Sequence, residues 1–286
     1  MSFEIQKDKI RQLCKELLED GTVETVIAYT EGGNEGMRIP FMFGNAEDAQ
    51  NVEWDERCQP NLAFYLHGRT DKVGIVAKPC DTRAISNYLV ENQLNRENVY
   101  IIGMDCEGMR DAKGELSPGC NDCTVRRPPL YDTRVENPNV TDEIAQGPSQ
   151  GAMDDLENNL DRFQKELSKC ILCFSCRQAC YGCYCPTCFM DRSVPNWQPT
   201  SPDLGAKAVY HLGRAMHLSG RCVECGACER ACASGVNIRY LIKELTGFID
   251  RIYDYKTGFD AEGHPVMTDF RTDDREIGFL GGETDG

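Results

Sequence analysis

Cys170-Ile-Leu-Cys173-Phe-Ser-Cys176-Arg-Gln-Ala-Cys180 and Cys222-Val-Glu-Cys225-Gly-Ala-Cys228-Glu-Arg-Ala-Cys232 share one pattern, with two, two and three residues between successive cysteines. Three thiolates at this spacing curl around an iron–sulfur cubane from one short loop. The fourth, four residues further on, points away and completes the cluster of the other block. The spacing therefore predicts two [4Fe–4S] clusters with exchanged ligands: Cys170, Cys173, Cys176 and Cys232 around one, Cys222, Cys225, Cys228 and Cys180 around the other. Small residues at Gly226 and Ala227 let backbone N–H groups approach the sulfides. Zinc sites usually pair two short C-x2-C hooks and do not require four cysteines per block, so a zinc-stabilised scaffold is the plainer and weaker alternative.

The remaining composition agrees. There are 17 cysteines in 286 residues, an odd number, and the start Met-Ser-Phe-Glu-Ile-Gln lacks a basic region followed by an apolar stretch. Dense cysteines without an export signal point to metal ligands in a reducing, cytoplasmic setting and not to disulfides. No apolar run is long enough for a membrane span. The net charge of −15, with no run rich in Lys or Arg, argues against nucleic acid and anionic lipid as partners.

Outward from the blocks, the chain reads as a two-domain α+β protein. Residues 3–20 carry an amphipathic helix pattern. Apolar runs at 23–29, 37–43, 62–66, 73–77 and 99–103 read as strands, with a helix over 81–94 opened by Asp81. The last two runs and that helix make a βαβ unit, so residues 1–125 are expected to form a small α/β domain. Gly32-Gly33-Asn34-Glu35-Gly36 reads as a hairpin turn rather than a phosphate loop, because an apolar run and not a helix follows it. The proline-bearing stretch 126–153 reads as a linker. Residues 154–253 are expected to be all-helical, with a loop at 195–202 and helices over about 154–169, 203–219 and 237–253. The acidic tail 254–286 is expected to be extended, its isolated Val266, Met267, Phe270, Phe279 and Leu280 draping over the body or docking on a partner.

The order block, helix (PDLGAKAVYHLGRAMHLSG, 202–220), block, helix (NIRYLIKEL, 237–245) resembles the α-helical dicluster ferredoxin domain of succinate dehydrogenase iron–sulfur subunits and of the heterodisulfide reductase small subunit. A second resemblance covers the first half. VAKPCDTRAI (76–85), IIGMDCEGM (101–109) and CNDC (120–123) resemble the beta-subunit family of deazaflavin-reducing hydrogenases and formate dehydrogenases. That family repeats a Pro-Cys after one strand, a Cys after the next and a C-x2-C hook. The residues read the same way: Cys80 and Cys106 end neighbouring parallel strands at one sheet edge, and the loop with Cys120 and Cys123 can fold over them. These four suit a third cluster; two buried free cysteines plus a zinc hook are the alternative. Cys183, Cys185 and Cys188 stay open between a fourth cluster completed by Cys58 or another cysteine, a zinc knot and spare thiols. Cys14 reads as a small buried hydrophobe.

No catalytic set stands out. His211 and His217 read as surface or packing residues, and Arg177, Arg221 and Arg230 as charges offsetting thiolate near the cluster loops. The expectation is a non-catalytic iron–sulfur electron-transfer subunit of a cytoplasmic, anaerobic, hetero-oligomeric oxidoreductase with flavin- or metal-containing catalytic subunits, which the resemblances imply to be heterodisulfide reductase-, hydrogenase- or formate dehydrogenase-associated. The second resemblance also implies an alternative, an FAD-containing reductase of a deazaflavin, ferredoxin or quinone-like acceptor.

Overall fold

The computed structural model describes residues 2–34, 36–140, 156–195, 201–266 and 272. Helix α1 (Ser2–Glu19) buries Ile10, Cys14 and Leu17, which recur along one face, and stops before Gly21 at φ 71°. Strands β1 (Thr25–Glu31) and β2 (Arg38–Phe43) pair antiparallel from Val26 opposite Phe43 to Glu31 opposite Arg38, so Gly32, Gly33 and Gly36 lie in a hairpin connection.

Strand β3 (Val73–Ala77) is buried along its whole length, as a two-sided parallel strand must be. It leads into α2 (Pro79–Val90) and then β4 (Val99–Met104). β3 and β4 run parallel, with Val73 opposite Val99 and Ala77 opposite Gly103, so β3, α2 and β4 form the expected crossover. A four-residue helix α3 (Pro118–Asn121) and a short strand β5 (Thr133–Val135) follow. The sheet order is β2-β1-β3-β4-β5, and only the β1–β2 pair is antiparallel.

Three readings of the sequence change here. Leu62–Leu66 is a 3-10 turn and not a strand: the Asn61 side chain accepts from Ala63 N, and the Asp81 carboxylate takes Leu62 N at 2.9 Å, so these donors are used locally instead of in a ladder. Asp81 is not the cap of α2 but its third residue, reaching back to Lys78 N at 2.7 Å. The first part of the expected linker contributes β5. Asp132 N donates to Ile101 O at 2.9 Å, and Gly103 leaves room where a Cβ would meet Tyr131 and Pro128 at 2.8 and 2.9 Å. Residues 141–155, which include the rest of that segment, lie outside the described residues.

Every described element after β5 is helical: α4 (Leu156–Ser168), α5 (Ser175–Gln178), α6 (Leu204–Leu218), α7 (Ala227–Arg230) and α8 (Arg239–Tyr253). Asp203 caps α6, accepting from Ala206 N at 2.8 Å. The sheet half has a full apolar core that includes Tyr29, Phe43, Trp54, Ile75 and Ile85. The helical half packs around Tyr210, Leu218, Val236, Ile238 and Ile242, and the rest of its cluster is largely cysteine.

The halves interlock. Tyr181 and Val223 enter the sheet-half core. Asn87 Nδ2 donates to Tyr181 OH and to Arg221 O, each at 2.8 Å, and Tyr88 OH donates to Tyr181 O at 2.7 Å. The start of the tail follows the same seam, where Arg83 Nη2 donates to Thr257 O at 2.9 Å and stacks on Phe259. Met267, Phe270, Phe279 and Leu280 lie outside the described residues. No described helix is long and apolar enough to cross a membrane.

Candidate metal centre

Both cysteine blocks fold the same way. Leu172 and Phe174 take left-handed backbone (φ 53° and 60°), and Glu224 and Gly226, two and four residues after the first cysteine of the other block, match them (59° and 71°). These turns aim N–H groups inward: Leu172 N donates to Cys170 Sγ at 3.3 Å and Glu224 N to Cys222 Sγ at 3.4 Å. The third cysteine of each block, Cys176 or Cys228, sits in a one-turn helix, α5 or α7. Four left-handed residues, three of them not glycine, give the two loops matching, strained conformations.

The two blocks lie side by side, with cysteines of each near those of the other. A cavity of about 10 Å³ is lined by Cys170, Cys173 and Cys176 together with Cys232 of the other block. Cys180 of the first block lies within electrostatic reach of Cys222, Cys225 and Cys228. Burial pushes Cys228 up to about 12 and Cys222 well above the ordinary thiol range; a metal centre would reverse this by favouring thiolate.

In the sheet half, Cys80 and Cys106 each lie three residues past the last β3–β4 pair, Ala77 and Gly103, and so stand at one sheet edge. Cys120 and Cys123 close over them. The four line a cavity of about 70 Å³ with Lys78, Arg83, Arg126 and Arg230. Backbone donors approach here too: Gly108 N to Cys106 Sγ and Met109 N to Cys120 Sγ, both at 3.3 Å. Burial raises Cys106 to about 12 and Cys80 well above its usual value. Cys225 lines this same cavity, so the second block and the sheet-half cysteines are neighbours. Their loops meet backbone to backbone: a Cβ on Gly119 would lie 2.8 Å from Cys225 C, Glu224 O and Gly226 N.

The donor sets fit iron–sulfur clusters. The Cys170 and Cys80 sets line cavities and receive backbone N–H groups. Among the described residues, no three His, Cys, Asp or Glu side chains converge closely enough to hold a single metal ion. The positive charge is fixed. Lys78 is buried, with its Nζ on Asp81 Oδ2 at 3.0 Å and Pro60 O at 2.9 Å. Arg230 donates to Cys225 O at 2.8 Å, and Arg239 to Pro118 O at 2.9 Å while pairing with Glu229 and Asp122.

The other cysteines separate. Cys183 stands beside Cys180, which together with Arg214 lowers its thiol to about 7 against the effect of burial. Cys185 is exposed and Cys188 is half-buried. Cys58 is buried in the sheet-half core, its Sγ 3.8 Å from Glu53 O, and Cys14 is buried on α1.

Sequence reasoning missed the inner face of α6. Tyr210, His211, Arg214 and Leu218 recur at helical spacing and are all buried. Tyr210 OH lies 3.2 Å from Cys176 Sγ, His211 Nε2 lies 3.2 Å from Cys170 Sγ, and Arg214 Nη2 donates to Cys176 O at 3.0 Å. His211 is therefore a packing residue against a thiol and not a surface one. His217 packs edge-on against Phe189. Of the arginines singled out, Arg177 pairs with Asp191 at 3.0 Å and Arg221 with Glu91 at 2.5 Å.

No family model matches the chain. The F420-dependent formate dehydrogenase subunit beta of Methanocaldococcus jannaschii is 22% identical over 357 aligned residues, covering 90% of this chain and 93% of that protein. The F420-dependent formate dehydrogenase 1 subunit beta of Methanococcus maripaludis is 33% identical over 104 residues, 35% of this chain and 26% of that protein. Among solved structures, the xenon-derivatised F420-reducing [NiFe] hydrogenase complex of Methanosarcina barkeri aligns with a TM-score of 0.32 and 19% identity, covering 37% of this chain and 39% of the matched one. The curated relatives are the beta subunits that the first-half motifs resemble.

Proposed function

We propose that this chain is an iron–sulfur electron-transfer subunit of a multi-subunit, cytoplasmic oxidoreductase of the hydrogenase or formate dehydrogenase kind, relaying single electrons to and from flavin- or metal-containing catalytic subunits. The observation that carries this reading is the succession of three cysteine quartets. Cys170, Cys173, Cys176 and Cys232 line one cavity, and Cys180 lies within electrostatic reach of Cys222, Cys225 and Cys228. Cys225 in turn lines the cavity of Cys80, Cys106, Cys120 and Cys123.

Each [4Fe–4S] cluster would supply one-electron chemistry when bound, and the chain's own residues do the rest. Cys106, Cys170, Cys176 and Cys228 are buried, backbone N–H groups favour added negative charge on sulfur, and Lys78 and Arg230 hold positive charge beside the sheet-half site. The names of the curated relatives support a place among the subunits of such a complex.

Iron, acid-labile sulfide and zinc analysis of the full chain purified without air tests the reading. About twelve irons with matching sulfide and negligible zinc are expected for three clusters. A colourless preparation without iron overturns it. Bound flavin in that preparation, together with turnover of a deazaflavin or ferredoxin acceptor, would move the assignment to an enzyme.

A further inference from the structure

Arg214 is 3% exposed and lies on the inner face of α6. Its Nη2 donates to Cys176 O at 3.0 Å, while Nε and Nη1, both buried, have no partner at hydrogen-bond geometry among the described residues, and the Cys183 thiol interacts with the same guanidinium. The groups it faces electrostatically are thiols: Cys180 and Cys228 of one quartet, Cys176 of the other, and Cys183 beside them. A buried guanidinium with two unused donors is costly when only neutral thiols surround it. The same group is well accommodated if anionic sulfur lies on both sides, because charge-assisted bonds from a planar fork are strong and directional.

Resting on the three-cluster reading above, we infer that Arg214 is a positioning residue shared by the two clusters of the helical half, with its unused N–H groups directed at cluster sulfur and its charge between Cys176 on one side and Cys180 and Cys228 on the other. Guanidinium does not deprotonate in proteins, so the charge is constant. It favours the more negative, reduced form of both clusters and so raises both potentials. It also screens one cluster from the other, which lets an electron reside on either without a strong penalty from its neighbour. The sheet-half quartet, with Lys78 and Arg126 lining its cavity, lies outside this effect.

The test is a redox titration followed by EPR on the full chain purified without air, comparing the native protein with Arg214→Met and Arg214→Lys, with iron and sulfide counted in each. In Arg214→Met the reduction equilibria of both helical-half clusters should fall at least about tenfold, about 59 mV for one electron, while the sheet-half cluster stays as an unshifted internal reference. Arg214→Lys, which keeps the charge but loses the fork, should fall less. If Arg214→Met loses iron, Arg214→Lys decides: full iron with both equilibria lowered supports the inference, and loss of iron in both variants makes Arg214 a scaffold residue and overturns it. Full iron in Arg214→Met with unmoved potentials, or a shift in one cluster alone, also overturns it. So does a Cys183→Ser variant that reproduces the Met shift, because Arg214 would then act through that thiol. Native protein without clusters would instead overturn the three-cluster reading, so the two failures are distinct.

Discussion

Cys232 belongs to the second block by sequence, yet it lines the cavity of Cys170, Cys173 and Cys176. Cys232→Ala should therefore extinguish the EPR signal of the first-block cluster and spare that of its own block; loss of the second signal alone would show that the ligands are not exchanged. Gly119 is a second critical position, since any side chain there enters the backbone of residues 224–226. Gly119→Ala should cost about 1–3 kcal/mol by overpacking, read as a lower unfolding midpoint of the iron-loaded chain. The matching conformation of the two cysteine blocks is legible in sequence because their shared spacing is local. Arg214 and His211 are not, because an arginine or histidine on an amphipathic helix ordinarily reads as its solvent face. Only the stripe Tyr210, His211, Arg214, Leu218 shows that they turn inward, and nothing in one helix says that thiols lie opposite.

The N-terminus of α2 shows how one element both builds the fold and places a thiol. Asp81 accepts from Lys78 N and from Leu62 N and pairs with the buried Lys78 Nζ, so it ties the strand-to-helix turn to the neighbouring 3-10 turn. Asp81→Ala leaves an ammonium buried without its counter-ion and should destabilise the chain by about 3–5 kcal/mol, measured by denaturant unfolding. Cys80→Ala, one residue away, removes no such bond. It should lose about four irons while both helical-half signals persist; unchanged iron content would mean that no cluster sits at this sheet edge. The βαβ unit was readable from its apolar runs and crossover length. Leu62–Leu66 was not, because a short apolar run is compatible with either strand or helix until its hydrogen-bond partners are known. Nor was β5, three residues embedded among prolines and paired with β4 from Ile102 opposite Thr133 to Met104 opposite Val135.

Across the whole molecule the two halves differ in what stabilises them. The sheet half buries Trp54, Tyr29, Phe43 and several isoleucines, whereas the helical half gathers seven cysteines around a few aliphatic residues. On the proposed function, a core so poor in aliphatic side chains would depend on its metal. Chelating the iron should melt the helical half first and leave the sheet half folded, seen as early loss of amide-exchange protection in α6 and α8 with protection retained in β3 and β4; simultaneous loss would show a single cooperative unit. The seam between the halves escaped the sequence reading because it is written in scattered residues, Asn87, Tyr88, Tyr181, Arg221 and Arg83. If the fourth cysteines are traded as proposed, one more consequence follows. A protease nick anywhere between Cys188 and Asp203 would sever the polypeptide without freeing either piece, since each fragment would remain riveted to the other through inorganic bonds, and the two should run together on a native gel and part once the metal has been stripped.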